Sequence, residues 1–315
     1  MTGMAEPVVK WAGGKRAMLD QIMARLPSKS HFNQYFEPFF GGGAVFFELQ
    51  PSNGYINDIN PRLINFYKQI KRNPEQIISK NREFDREYKK QLDDDGDEYY
   101  YKKRDEFNAL RDGADDCEDP ILEASLFLFL NRTCFNGLYR TNKQGNFNVP
   151  VGSKWTEVSA LERRIREAHR IIQNTTITQK DFTYVRDHVQ ENDLVFFDPP
   201  YLSVRKTGSF EKYHPGGFDF ERHRELQQLA FELDERGAYV MITNANDQRS
   251  EVYKENYVEK LYSEDVLPDS FRKTKAQGER MINSDSTKRT DIGETDIIVT
   301  NFSPFEEQRT FENFR

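Results

Sequence analysis

Hydrophobic positions along the chain follow two periods, one typical of strands and one typical of helices. Short apolar runs end at Pro, Gly or Asp, whereas longer segments repeat apolar residues every three or four positions. The pattern predicts strands at 34–37, 54–57, 175–179, 194–197, 238–243, 257–261 and 296–300. It predicts helices at 15–26, at 44–49, from 61 onward, and at 74–91, 98–111, 120–131, 157–172 and 220–236. Strands that alternate with helices in this way are typical of an α/β fold with a parallel sheet.

The middle of the chain interrupts this alternation. Residues 73–156 are predicted to form mostly polar helices followed by a stretch rich in Asn and Gly. Asn136-Gly137 and the segment 144–146 contain turn residues typical of a β-hairpin. We therefore predict one α/β domain built from residues 1–72 and 157–315, with residues 73–156 inserted as a mostly helical domain that carries a hairpin.

Composition narrows the possible environments. The 315 residues include 45 Lys and Arg and 52 Asp and Glu, so the net charge is −7. This balance argues weakly against a nucleic-acid partner, although a basic face can lie on an acidic protein. No apolar run approaches the roughly 18 to 20 residues of a membrane span. The two cysteines, Cys117 and Cys134, cannot form a disulfide framework and match no zinc spacing, so we expect a cytoplasmic protein without a metal site.

A glycine turn follows the first predicted strand. Residues 37–44 read Glu-Pro-Phe-Phe-Gly-Gly-Gly-Ala, and a helix begins directly after the turn. Glycine lets the backbone approach a ligand, and the acidic Asp58 after the next strand stands where ribose hydroxyls are bound. The turn alone is equally consistent with a structural role, but together with Asp58 it favours an adenosine-type ligand. Its spacing disfavours both a nicotinamide dinucleotide site and an NTPase phosphate loop.

The most apolar predicted strand, 194–197, ends in Asp198-Pro199-Pro200-Tyr201. Because prolines cannot continue a strand, the chain leaves the sheet at its carboxyl edge, where α/β proteins bind ligands. There the Asp198 carboxylate and a proline carbonyl can accept hydrogen bonds from an amino group, and the Tyr201 ring can lie against a flat substrate. This set suits the exocyclic amine of a nucleobase, whose lone pair would become available for attack.

Three motifs in this order resemble the Dam family of DNA adenine-N6 methyltransferases, the alpha-group or D12 class. They are Lys10-Trp-Ala-Gly-Gly-Lys15, the glycine turn at 37–46, and the segment 198–201. The resemblance implies a Rossmann-like methyltransferase sheet that depends on S-adenosylmethionine, with residues 73–156 as the target-recognition domain. Residues 131–140 and 145–150 resemble the recognition hairpin of that family. Double-stranded DNA is then the implied substrate and partner.

The resemblance also implies roles for individual residues. The implied catalytic residues are Asp198, Pro199, Pro200 and Tyr201. The implied cofactor-binding residues are Trp11, Lys15, Glu37, Phe39, Gly41, Gly43, Asp58, Asp181, Phe182 and Asp198. The implied DNA-binding residues are Lys10, Phe135, Asn136, Arg140 and Asn142, with Phe135 as a wedge beside a flipped-out adenine and Arg140 as a reader of guanine.

A wider set of cations is predicted to provide phosphate contacts. Its members are Arg132, Lys143, Lys154, Arg205, Lys206, Arg272, Lys273, Lys275, Lys288 and Arg289. Residues 271–290 fit no motif, and we predict that they form a basic, polar loop against DNA.

Several alternatives stay open at this stage. Asp198 argues against methylation of cytosine N4, where Ser is usual, and the segment after Asn131 argues against an RNA or protein substrate. A catalytically silent DNA-binding protein on the same fold is a third alternative. The resemblance implies GATC or a related sequence as the recognition site, and a monomeric enzyme. A restriction endonuclease that recognises the same site is a candidate partner.

Overall fold

The computed structural model describes residues 6–91, 96–110, 117–201, 218–245, 257–278 and 293–303. The chain divides into two compact units. The first unit contains residues 1–14, 41–48 and 58–179, and the second contains 15–40, 49–57 and 180–315. The domain boundaries suggested by the sequence, at residues 72 and 157, stay a prediction.

Helices and strands alternate through most of the described residues. The helices are α1 (Leu19–Met23), α2 (Ala44–Leu49), α3 (Pro61–Arg72), α4 (Pro74–Gln91), α5 (Gly96–Ala109), α6 (Pro120–Thr133), α7 (Glu162–Ile171), α8 (Val185–His188), α9 (Phe220–Glu235) and α10 (Tyr257–Tyr262). The strands are β1 (Tyr35–Glu37), β2 (Gly54–Asn57), β3 (Thr175–Thr178), β4 (Leu194–Phe197), β5 (Tyr239–Ala245), β6 (Arg272–Gly278) and β7 (Gly293–Thr300). The α/β class predicted from the sequence is confirmed.

Six strands of the sheet lie in the second unit, in the order β2-β1-β4-β5-β7-β6. The first four run parallel, and β7 pairs antiparallel with both β5 and β6. Apolar side chains of β1, β4 and β5, among them Phe36, Val195 and Ile242, form a core with Leu229 and Leu233 of α9. Because parallel strands end at one edge, the residues that follow β1, β4 and β5 are neighbours there.

Helix α6 is the centre of the first unit. Its start follows from Asp119, whose carboxylate accepts a hydrogen bond from Leu122 N at 2.8 Å, and from Pro120 in the first turn. Every residue from 123 to 133 is buried, so the helix is enclosed on all sides, and α3, α4 and α5 pack around it. The predicted hairpin is short: Thr141 pairs antiparallel with Phe147.

Three local predictions were wrong. The strand predicted at 257–261 is helix α10, because the sequence has apolar residues at 258, 261 and 262, which is helical spacing, and Leu261 and Tyr262 are buried in the core of the second unit. The loop predicted from residue 271 begins with strand β6, whose polar residues occupy a sheet edge where charged side chains are common. The helix predicted at 15–26 is a 3₁₀ turn, Lys15–Met18, followed by the short α1.

Parts of the sequence predictions lie outside the described residues. These are the remainder of the predicted loop, 279–290, and the cations Arg205, Lys206, Lys288 and Arg289. Each helix of the described part is too short or too polar to cross a bilayer.

Candidate active site at the end of β4

Asp198 directly follows β4, and Pro199 and Pro200 end the strand. The Lys15 ammonium nitrogen lies 2.6 Å from Oδ1 of Asp198. The Thr243 hydroxyl donates a hydrogen bond to the same oxygen at 2.9 Å. Within the described residues both contacts therefore reach Oδ1, which leaves Oδ2 as the acceptor for a ligand amine.

Burial and charge act in opposite directions on this pair. The Lys15 side chain is 5% exposed and that of Asp198 is 18% exposed. Burial raises the pKa of Asp198, while the charge and hydrogen bond of Lys15 and the hydrogen bond of Thr243 oppose the rise. Burial alone would lower the pKa of Lys15, but Asp198 and Tyr201 beside it raise the value above its ordinary range. Lys15 therefore stays charged and favours the ionised form of Asp198, although burial keeps the pKa of that carboxyl group above its usual value.

Tyr201 completes this group. The Lys15 ammonium lies over its ring, 4.7 Å from the ring centroid, a cation–π contact. Burial raises the pKa of the Tyr201 phenol, and Lys15 opposes the rise, so the phenol stays neutral. The structure thus brings together Lys15, which the motif assigned to the cofactor, and Asp198 and Tyr201, which it assigned to catalysis.

Glu37 ends β1, the strand next to β4. The Tyr35 hydroxyl donates to Oε2 of Glu37 at 2.8 Å, and both side chains are buried. Burial and the neighbouring Glu37 carboxylate raise the pKa of Tyr35 well above its usual value, so Tyr35 remains a donor. One oxygen of Glu37 is thus used within the protein, and the role of Glu37 in cofactor binding stays a prediction.

Phe39, Asp181 and Phe182 are also close together in the second unit. The rings of Phe39 and Phe182 stack with centroids 5.4 Å apart, and Phe218 meets Phe39 edge-on at 5.4 Å. Arg222 pairs with Asp181 and lies over Phe182, with its guanidinium carbon 4.6 Å from the ring centroid. Phe182 and Phe218 are buried in the core of the second unit, and Phe39 is partly buried against them, so Phe39 is the ring of this cluster that is best placed to contact a purine. The sequence analysis missed Arg222.

The first unit holds the other predicted cofactor residues. Asp58 accepts hydrogen bonds from Gly41 N on Oδ2 and from Asn60 N on Oδ1, both at 2.9 Å. Burial raises the pKa of Asp58 to about 6, although these backbone donors oppose the rise. Gly41 has φ +50°, and a Cβ there would lie 2.6 Å from the Trp11 ring, so only glycine fits. Gly43 also has positive φ.

Three of the predicted DNA-binding residues are held together by Asn131. Its Oδ1 accepts from Lys10 N at 2.9 Å, and its Nδ2 donates to Lys10 O and Gly137 O. The turn that contains Gly137 also holds Phe135, which is 41% exposed, and Asn136, which has φ +56°. An exposed aromatic ring next to an exposed lysine is suited to contact a base and a phosphate. The sequence analysis did not identify Asn131 as their link.

Arg140 and Asn142 lie in the short hairpin. Arg140 donates to the side chain of Asn148 at 2.8 Å and to its carbonyl at 3.1 Å. Oδ1 of Asn142 accepts from Gln144 N and Asn146 N, both at 3.0 Å, and thereby closes the turn. Both side chains have internal partners in the free protein, and their roles on DNA stay predictions.

Arg132 was wrongly predicted as a phosphate contact. Its side chain is 3% exposed and pairs with Asp85, with 2.9 Å between Nη2 and Oδ1. It also donates to Asn81 and to the Thr156 carbonyl. Its position in the central helix α6 turns it inward, where a charged group must be paired.

Thr243 is a site residue that the sequence analysis missed, although the sheet register offers a signal for it. Phe197 pairs with Ile242 in the parallel ladder of β4 and β5, so residues 198 and 243 follow side by side. A polar residue directly after the apolar run 240–242 is the feature that points to Thr243.

Comparison with known proteins identifies the family of this chain. Residues 11–276 match the family model of the D12 class N6 adenine-specific DNA methyltransferases. The chain is 34% identical to the type II methyltransferase M.MjaIII of Methanocaldococcus jannaschii, over 94% of this chain and 99% of that protein. It is 36% identical to the type II methyltransferase M1.LlaDCHI of Lactococcus lactis subsp. cremoris, over 94% and 95% of the two chains. It is 33% identical to the DNA adenine methylase of Escherichia coli K12, over 75% and 79%.

The chain therefore belongs to the D12 class of N6 adenine-specific DNA methyltransferases. The family that the three motifs resemble is confirmed, and with it DNA as the substrate.

Proposed function

We propose that this enzyme transfers a methyl group from S-adenosylmethionine to N6 of an adenine flipped out of duplex DNA, within GATC or a related site. The observation that carries the proposal is the position of Asp198, a carboxyl group at a strand end whose Oδ1 is held by Lys15 and Thr243. Its Oδ2 is then available to accept a hydrogen bond from the target amine.

The chemistry of the described side chains fits this methyl donor. In the second unit, the Phe39 and Phe182 rings suit an adenine ring, and the carboxylate of Asp198 suits a nearby sulfonium cation. In the first unit, Asp58 suits ribose hydroxyls. When bound, the donor supplies an electrophilic methyl group. Trp11, Lys15, Glu37, Gly41, Gly43 and Asp181 remain our further candidates for contacts with it.

The reaction places distinct demands on the residues around the amine. Asp198 accepts one N6–H and the Pro199 carbonyl accepts the other, while Tyr201 stacks on the adenine through the ring face opposite Lys15. Because the neutral amine is a poor base, Asp198 orients N6 and stabilises the positive charge that develops there. The N6–CH3 bond would form as the S–CH3 bond of the donor breaks, with the neutral thioether as the leaving group, and the N6 proton would then be lost to solvent. Catalysis is then mainly positioning, for which effective molarities of about 10⁵ M or more are known.

Access to N6 requires that the base leave the helix, at a cost of a few kcal/mol. The exposed ring of Phe135 is suited to fill the space that the base leaves. Arg140 would read a neighbouring guanine, with Lys10, Asn136 and Asn142 adding contacts, once its guanidinium exchanges Asn148 for the base edge. We further propose that the enzyme acts as a monomer and pairs with a restriction endonuclease that recognises the same site.

Methylation assays on defined substrates test this proposal. Labelled S-adenosylmethionine is supplied with duplexes that contain GATC, with each single-position variant, and with RNA and peptide. We expect N6-methyladenine only in the GATC duplex or a close variant, and a rise of 2-aminopurine fluorescence when the analogue replaces the target adenine. Label on cytosine, RNA or peptide, or binding of DNA without turnover, would overturn the assignment in favour of one of the other three functions.

A further inference from the structure

Thr243 is a buried polar residue at the site whose role neither the motifs nor the family name specifies. It lies in β5, and its side chain is fully buried, with 0% exposure. Its hydroxyl oxygen lies 2.9 Å from Oδ1 of Asp198 and 3.4 Å from the Phe197 carbonyl. The shorter and stronger of these two contacts is to a charged acceptor.

Thr243 is fixed in space by its strand. β5 is paired on both sides, with Phe197 next to Ile242 in β4 and with Thr243 itself opposite Ile298 in β7. A β-branched side chain on such a backbone has few rotamers, so the hydroxyl has a set position. Any group that it binds takes its orientation from the sheet.

Lys15 cannot set this orientation in the same way. Its ammonium is a point charge on a flexible four-carbon stem and can follow the carboxylate through a rotation. Lys15 therefore controls the charge of Asp198. The fixed hydroxyl of Thr243, in contrast, controls how the carboxylate is rotated about the Cβ–Cγ bond of Asp198. Because both oxygens rotate together, a fixed Oδ1 gives Oδ2 a fixed direction.

We infer that Thr243 is a positioning residue for methyl transfer, which holds Oδ1 of Asp198 so that Oδ2 points to the amine of the target adenine. This inference rests on the proposed function. It assigns Thr243 no contact with substrate or donor, so its loss should change turnover and leave the binding of both molecules unaffected.

The test compares Thr243→Val, which keeps the shape and removes the hydroxyl, with Thr243→Ser, which keeps the hydroxyl. We expect Thr243→Val to lower kcat by about 10- to 100-fold, the value of one hydrogen bond to a charged group. KM for DNA and Kd for the donor should stay within about twofold of the wild type. Thr243→Ser should restore most of the turnover. If Thr243→Val does not fold, Thr243→Ala serves in the same comparison.

The pH profile separates positioning from a merely structural role. The hydrogen bond from Thr243 opposes the rise in the pKa of Asp198, so its removal should move the acid limb of kcat to higher pH. A 13C titration of the Asp198 carboxyl group in the free protein should show the same displacement. Thr300→Val is the matched control: it removes a threonine hydroxyl that donates to the Phe302 carbonyl and should change neither readout.

The outcomes are distinguishable. If wild-type enzyme methylates adenine and Thr243→Val has the same kcat and pH profile, this inference is wrong and the proposed function stands. If Thr243→Val loses stability in the same measure as Thr300→Val, with an unchanged pH profile, the role of Thr243 is structural. If the wild type methylates no adenine, the proposed function itself has failed.

Discussion

Two cation–carboxylate pairs, Arg132–Asp85 in the first unit and Lys15–Asp198 in the second, combine the same kinds of charged group but differ in their hydrogen bonds. In the first unit, Arg132 donates to both oxygens of Asp85, and Asp85 Oδ2 also accepts from Val158 N at 2.7 Å. In the second unit, within the part of the chain that the structure describes, Lys15 and Thr243 contact only Oδ1 of Asp198. The first carboxylate is saturated, and the second keeps one acceptor oxygen.

We propose that this difference separates a structural pair, Arg132–Asp85, from a functional one, Lys15–Asp198. A buried pair stabilises the fold only when nearly all of its hydrogen-bonding groups are satisfied, and the planar guanidinium of Arg132 suits such fixed geometry. A carboxylate with one oxygen in reserve gives up part of that stabilisation and gains the ability to bind a ligand. Acceptor saturation, which burial or charge alone does not reveal, is the ground on which we propose Asp198 as the reactive member.

The largest effect on turnover is expected when the charge of Asp198 is removed. Asp198→Asn keeps an oxygen for Lys15 and Thr243, but it can present an NH₂ group toward the amine. We expect methylation to fall by about 10² to 10³-fold or more, because the hydrogen bond that orients N6 is replaced by a clash of donors. Because the substitution also leaves the buried Lys15 ammonium without its counter-charge, we expect the free energy of unfolding to fall by about 3 kcal/mol. Turnover assays and urea unfolding measure the two effects, and near-normal turnover would remove Asp198 from the mechanism.

The matching change in the structural pair is Asp85→Asn. It leaves the Arg132 charge buried without a counter-charge, so we expect a loss of about 3 to 5 kcal/mol in the free energy of unfolding. The protein that stays folded should keep the wild-type kcat. Urea unfolding and active-fraction measurements test this. A selective fall in kcat with unchanged stability would mean that the two pairs do not differ as proposed.

Removal of the Lys15 charge tests whether the functional pair depends on its cation. Lys15→Met keeps the apolar stem. Because Lys15 opposes the burial-driven rise in the pKa of Asp198, its loss should raise that pKa and move the acid limb of the rate profile to higher pH. We expect kcat at neutral pH to fall by about 10- to 100-fold. The control is Lys29→Met, an exposed lysine of the same unit, and an unshifted profile in Lys15→Met would contradict the proposed electrostatic role.

The sequence predicted the parts of the fold and site that local residues determine. Prolines and glycines delimit strands 54–57 and 194–197, and the structure has both at those residues. Pro199 and Pro200 likewise predicted that Asp198 lies at the end of a strand. Polar edge strand β6 was missed because its Arg and Lys residues hide the period of a strand whose pairing comes from the apolar β7.

Other features depend on tertiary packing and leave weak local signals. Arg132 stands in the sequence like any helical arginine, and only the helices around α6 make it a buried partner of Asp85. Thr243 acquires its role through the register of β4 and β5. The internal partners of Arg140 and Asn142 likewise follow from how the short hairpin folds.

Arg140 extends the comparison to a cation whose described side-chain partner is a neutral amide, Asn148. Such a bond is weaker than an ion pair, so DNA can displace it. We expect Arg140→Ala to reduce discrimination at one base pair of the site by about 1 to 3 kcal/mol, with a small effect on non-specific binding. Competition assays with variant duplexes measure this discrimination. The control is Lys143→Ala, at an exposed lysine that we predict to contact phosphate, which should weaken binding equally on all sequences. An equal loss on all sequences would make Arg140 a phosphate contact.

The smallest effect is expected at Asp58. Both of its carboxylate oxygens accept backbone hydrogen bonds, and yet its pKa is raised to about 6. A pKa above the usual 3.8 means that the folded state binds the proton more tightly, so this group's contribution to stability is lost as pH rises through about 6. Donor binding should follow the opposite course, because ribose hydroxyls are bound by the ionised form. From about pH 7 to about pH 5 we expect roughly tenfold weaker binding of S-adenosylmethionine by calorimetry. Asp58→Asn should bind weakly at every pH, and a wild-type affinity that does not change over this range would show that saturated acceptors such as those of Asp58 do not bind the donor.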